Sequence, residues 1–189
     1  MITPMLRFLP LAALFALALQ ACATHRPLHG TEISATQPER AFVLTDQRGR
    51  PSTLGGPSGH FTALYFGFTH CADVCPQTLA ALANARSRAG IADSQLKIVM
   101  VTVDPARDTP KAMRAFLAKL HVRALGLTGS KKQLQHVYRQ YGVAVVPEKD
   151  DIIHSDDVYL LDRQGRLREL IHASAGAGEI AQDLQTVIG

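Results

Sequence analysis

The stretch Phe61–Pro76, FTALYFGFTHCADVCP, constrains this chain more than any other. An apolar, aromatic-rich run ends at Gly67, and Cys71 and Cys75 follow four residues apart with Pro76 directly behind. A short apolar run closed by glycine predicts a buried strand. Beyond Pro76 the chain turns to alanine and leucine (QTLAALANARSRAG), which predicts a helix stopped by Gly90. The two thiols therefore sit where a strand hands over to a helix N-terminus, where unpaired N–H groups and the helix dipole favour a thiolate. If Cys71 to Cys75 is one helical turn, their Cα atoms lie about 6 Å apart. That is within the roughly 4.4–6.8 Å that a disulfide spans, and it also lets both sulfurs point at one ion. The C-x-x-x-C spacing leaves more room for a metal than C-x-x-C, the stronger signal for disulfide exchange. The plain alternative is a lone structural disulfide.

The chain has 189 residues, enough for one ordinary domain plus a leader. Its 47% hydrophobic and 19% charged residues are those of a globular protein. A formal net charge of +4, with Lys and Arg scattered and no basic run interleaved with aromatics, gives no support for nucleic-acid binding. There is no Gly-rich phosphate or dinucleotide motif.

Residues 1–21 read as a signal peptide. Arg7 precedes the apolar run Phe8–Leu19, which is too short to span a bilayer, and Leu19-Gln20-Ala21-Cys22 resembles a bacterial lipobox with Cys22 as the lipidated residue. An ordinary signal peptide cut near Ala21 or Ala23 is the alternative. Either way the domain is exported. Removing Cys22 from the three cysteines leaves Cys71 and Cys75, one possible internal disulfide, which does not make a disulfide scaffold. Residues 22–40, with Pro27, Gly30 and Pro38 and no periodicity, read as a tether. The domain proper is 41–189.

Within it, Ala41–Thr45 predicts a strand, Asp46–Gly49 a turn and residues 50–60 a loop. Leu96–Val103, LKIVMVTV, predicts a parallel strand buried on both faces. Asp104 to Pro110 then leads into a helix capped by Thr109 or Asp108. A short strand over Leu125–Leu127 comes next, followed by a helix from its cap Ser130 to a stop at Gly142. Val143–Val146 is extended, and a polar loop precedes Ile152-Ile153-His154-Ser155. Val158–Asp162 and Leu167–Ile171 form a hairpin, and a closing helix starts at Ala177 or Gly178. This order implies an α/β fold with a central mixed sheet flanked by helices, the thioredoxin-like arrangement.

Two thiolates hold Cu(I), and an added imidazole makes a three-coordinate site that also tolerates Cu(II). Of the eight histidines, His25 and His29 fall in the tether and read as solvated, and His121, His136 and His172 have no partner motif. His70 adjoins Cys71, but a backbone neighbour seldom shares a metal. His154 lies in a loop that a thioredoxin-like sheet brings beside the cysteine helix, although a loop histidine is more often just solvated.

YFGFTHCADVCP, VTVDPARDTP and His154-Ser155 followed by VYLLDRQGRL, with the opening FVLTDQRGRP, together resemble the Sco/SenC family, the membrane-tethered copper proteins of cytochrome oxidase assembly. The resemblance covers about 41–189. It implies that Cys71, Cys75 and His154 bind one copper ion per domain, as Cu(I), Cu(II) or both. This chain departs from the family in having Ala72 where Pro is usual, Ile153 where an Asp commonly precedes the metal histidine, and a compact segment between Pro147 and His154. For Asp104 and Asp108 a turn and helix cap is preferred over a carboxylate near the metal or a docking feature.

The resemblance implies a metallochaperone, with no catalytic residue assigned, that passes copper to the dinuclear site of the cytochrome c oxidase copper subunit. Its other expected partners are a periplasmic copper chaperone or thioredoxin-like reductase, and the membrane through a lipid anchor, with the domain facing the periplasm. The alternatives are a thiol–disulfide oxidoreductase that uses Cys71 and Cys75 as a redox disulfide and dispenses with His154, a copper or redox sensor, and, more weakly, a peroxidase.

Overall fold

The computed structural model describes residues 26–33, 40–149 and 151–189; the signal segment, Cys22 and His25 lie outside them. Among the described residues no helix is long and apolar enough to cross a membrane.

The centre of the fold is β4 (Phe61–Gly67), buried at all seven positions. It pairs in parallel with β5 (Leu96–Thr102), and β5 in parallel with β6 (Leu125–Thr128). On its other side β4 runs antiparallel to β9 (Val158–Leu161), and β9 antiparallel to β10 (Leu167–Ile171). The remaining strands are β1 (Thr31–Glu32), β2 (Phe42–Asp46) and β3 (Pro51–Leu54), and the mixed sheet has the order β1-β10-β9-β4-β5-β6-β2-β3. Continuous apolar runs at β4 and β5 are what a strand covered on both faces requires. The connections are α1 (Val74–Arg88), α2 (Pro110–Lys119) and α3 (Lys131–Tyr141), and α4 (Ala177–Ile188) closes the chain. Helix α1 packs on α4 and β5, and α2 on β6.

Local chemistry places the helix ends. Thr109 caps α2, its hydroxyl accepting from the Ala112 N–H at 3.2 Å, with Pro110 in the first turn. Ser130 and Gln133 form a capping box at α3, and Gly142 ends it in the left-handed region at φ 66°.

Three expectations are corrected. Residues 50–60 are not all loop, because Pro51–Leu54 pairs with β2 as an edge strand; Pro51 sits at its first position, where no ladder donor is lost. His154 is not in a loop, because Ile152–His154 forms β8 and pairs with β7 (Val145–Pro147) as a separate two-stranded sheet. Part of the tether is also built into the domain. Thr31 and Glu32 pair with Leu170 and Glu169, and His29, though exposed as expected, is tied to the domain. Its backbone N–H and ring Nδ1 both reach the Asp183 carboxylate at 2.9 Å. Gly30 is needed there, since a Cβ would lie 2.4 Å from the Glu169 carboxyl.

Candidate metal centre

Side chains alternate along β4, so one strand serves two faces. Phe66 faces α3, its ring 6.1 Å from Tyr138 and 5.7 Å from Tyr141. Tyr65 and Gly67 face the other way, toward the cysteines. A Cβ on Gly67 would lie 2.6 Å from the Tyr65 ring and 3.1 Å from Cys75 Sγ, so only glycine lets the strand pass this close to the sulfur.

Cys75 is in the first turn of α1 and fully buried, whereas Cys71 precedes the helix and is half-buried. The helix therefore begins before Pro76, and the two cysteines do not share one helical turn. The Cys75 N–H donates to Cys71 Sγ at 3.3 Å, one of the unpaired N–H groups expected at such a terminus. Both thiols are free. Burial pushes the Cys75 thiol up to about 12, with Cys71 alongside adding to the shift.

Strand β8 carries His154, which is half-buried. Its Nδ1 lies 2.8 Å from the Ser155 carbonyl oxygen. A carbonyl only accepts, so Nδ1 holds the proton and Nε2 keeps the lone pair a metal needs. The ring is held edge-on by Phe68 at 5.8 Å and Tyr65 at 6.4 Å. The fold thus brings both Cys75 and His154 beside Tyr65, with Cys71 bonded to the Cys75 backbone.

Asp108 is not a helix cap, because Thr109 has that place. Its carboxylate is fully buried and accepts from Thr69 N–H at 3.1 Å, Thr69 Oγ at 2.5 Å and Thr102 Oγ at 2.6 Å. It ties the loop two residues ahead of Cys71 to the end of β5. Burial raises its pKa and those hydrogen bonds oppose the shift. Asp104 pairs with Arg107. Among the described residues the trio whose donor atoms lie within 4.8 Å of one another is His70, Asp104 and Asp108, not the two cysteines with His154. Every carboxylate in that trio is already engaged by protein donors.

A cleft of about 540 Å³ opens at the other end of β4 and β5, around His60, Lys97 and Arg123. Its one buried cation, Arg86, is paired with Asp93 at 2.8 Å, and no cysteine lines it.

The SCO1/SenC family model matches residues 30–189. The chain belongs to the SCO1/SenC family. It is 35% identical over 153 residues to the mouse mitochondrial SCO2 homolog, covering 76% of this chain and 60% of that protein. Against mitochondrial SCO2 of Saccharomyces cerevisiae it is 33% identical, covering 78% and 53%. The chain thus spans little more than half the length of these relatives. Among solved structures, this SCO1/SenC domain resembles Arabidopsis thaliana ScoI with copper bound, with TM-score 0.72 and 29% identity over 78% of this chain and 95% of that one. It also resembles Bradyrhizobium japonicum ScoI with copper bound, with TM-score 0.67 and 34% identity over 78% and 97%. The thioredoxin-like α/β fold expected from the element order is the observed one.

Gly67 stood out in the sequence only as the end of a strand, and Tyr65 and the Asp108 brace did not stand out at all. The signal for the first two was there: in β4 positions 65 and 67 alternate with 66 and so share one face.

Proposed function

We propose that this SCO1/SenC domain is a copper metallochaperone that holds one copper ion through Cys71, Cys75 and His154. The observation that carries the reading is the donor set. Two free thiols are linked Cys75 N–H to Cys71 Sγ, and next to Tyr65 sits an imidazole whose Nδ1 is spent on its own backbone. Two soft sulfurs and one nitrogen suit copper. The copper-bound ScoI relatives support the same ion. The two cysteines and His154 are not a trio of donor atoms within 4.8 Å of one another, so holding one ion would require the β7–β8 hairpin and the cysteine loop to approach. Three ligands leave the ion open to an incoming thiolate, which displaces one donor at a time. The recipient is the dinuclear copper site of cytochrome c oxidase, and a lipid on Cys22 anchors the domain outside the cytoplasmic membrane.

Copper titration of the reduced protein tests this. One equivalent binds tightly to the wild type, and Cys71→Ala, Cys75→Ala and His154→Ala each lose most of that affinity. A Cys71→Ala protein that still binds one equivalent tightly overturns the assignment.

A thiol–disulfide oxidoreductase is the second reading. The half-buried Cys71, with its sulfur at a helix N-terminus, has the exposure an attacking thiol needs. His154→Ala retaining full oxidase assembly in cells would favour it.

A further inference from the structure

The Tyr65 hydroxyl is fully buried and has no hydrogen-bond partner of good geometry. Native proteins rarely leave a buried hydroxyl in that condition. Two groups are close enough to interact with it, the Cys75 thiol and the Thr78 hydroxyl. The Thr78 proton is committed to the Val74 carbonyl at 3.0 Å, so toward Tyr65 the Thr78 oxygen can only accept, in competition with the Cys75 sulfur. Cys75 is also fully buried, so its sulfur has no water to serve it. Gly67 is what permits the arrangement, since any side chain there would press on both the Tyr65 ring and Cys75 Sγ.

A neutral thiol is a weak acceptor, and a thiolate bound to a metal is a much better one. The geometry points to Tyr65 as a positioning residue whose hydroxyl donates to Cys75 Sγ when the sulfur carries copper. In the copper-free protein the hydroxyl has only the weakly accepting thiol and the Thr78 oxygen beside it, neither in good hydrogen-bond geometry, so loading is favoured by a stronger bond in the loaded state. The Tyr65 ring also lies edge-on to His154, so the residue that steadies the sulfur flanks the imidazole too. This inference rests on Cys75 being a copper ligand.

Tyr65→Phe keeps the ring and removes the donor. Relieved of an O–H donor, the coordinated sulfur gives up charge more readily. The sulfur-to-Cu(II) charge-transfer band is therefore expected at longer wavelength, with copper affinity about 10–100-fold weaker, as for other residues that orient a ligand. The copper-free variant is expected to unfold at the same temperature as the wild type or higher, because an orphaned hydroxyl has gone. A merely structural tyrosine would lower both stabilities and leave the band in place. Replacing Tyr65 by 3-fluorotyrosine, a stronger donor of nearly the same size, is expected to shift the band to shorter wavelength, and it serves if the phenylalanine variant does not fold. Thr78→Val is expected to leave the band unmoved. A band unmoved by either change at Tyr65 overturns the inference, as does a band that follows Thr78 instead. If Cys75→Ala leaves both the band and the copper affinity unchanged, it is the copper-ligand reading itself that fails.

Discussion

Asp108→Ala removes the one acceptor that joins three donors behind the cysteine loop. The Thr69 hydroxyl has a second neighbour in His70 Nδ1 at 3.2 Å and is the least affected. The Thr69 N–H and the fully buried Thr102 hydroxyl both lose their acceptor. An unpaired buried donor costs about 1–3 kcal/mol, in full for Thr102 and in part for the half-buried Thr69. The carboxylate's own desolvation, visible as its raised pKa, offsets part of that. A net loss of about 3 kcal/mol is expected. With a urea m-value of roughly 2 kcal/mol/M for a domain of this size, the midpoint falls by about 1.5 M. Because Thr69 lies two residues before Cys71, the freed loop also weakens copper binding, by about 10–100-fold. Urea unfolding of the copper-free protein and a competitive copper titration measure the two effects. A loss below about 1 kcal/mol refutes the brace, and unchanged copper affinity refutes its link to the site.

Copper binding is expected to tighten with pH. Cys75, its thiol raised to about 12, is protonated near neutrality and gives up that proton to bind. Its release alone raises affinity about tenfold per pH unit, and a flat profile between about pH 6 and pH 8 contradicts this. Gly67→Ala pushes a Cβ to 2.6 Å from the Tyr65 ring and 3.1 Å from Cys75 Sγ. It is expected to cost about 1–3 kcal/mol in thermal unfolding and to weaken copper binding by displacing the sulfur; unchanged values in both would refute the close-approach argument. Glu169 is fully buried against Asp183, and burial raises its pKa from 4.5 to about 8. Its contribution to stability is complete below 4.5 and is lost as pH rises toward about 8. Asp183, held down by its bonds from His29 and Gly30, acts in the opposite sense and loses its contribution as pH falls. Glu169→Gln is expected to flatten the decline on the alkaline side, and a persisting slope in unfolding curves excludes this pair as its source.

How much was legible differs from residue to residue. The strand Phe61–Gly67, the capped helices and the hairpin after Val158 follow from local chemistry, because a strand buried on both faces must be apolar throughout and a helix must cap its own ends. The edge pairings of Pro51–Leu54 and Thr31–Glu32 were not legible, since a short polar strand at a sheet edge has no hydrophobic period to announce it.

At the candidate site the division is similar. By itself the sequence determined the two thiols at a helix entry and, through its motifs, singled out His154, because these are matters of residue type and spacing. Only the tertiary structure decided that Cys75 is sealed while Cys71 is half open, that Asp108 braces Thr69 rather than capping a helix, and that the Tyr65 hydroxyl is buried beside the Cys75 sulfur. Burial and hydrogen-bond partners are properties of segments that meet from far apart in the chain, and no local pattern encodes them.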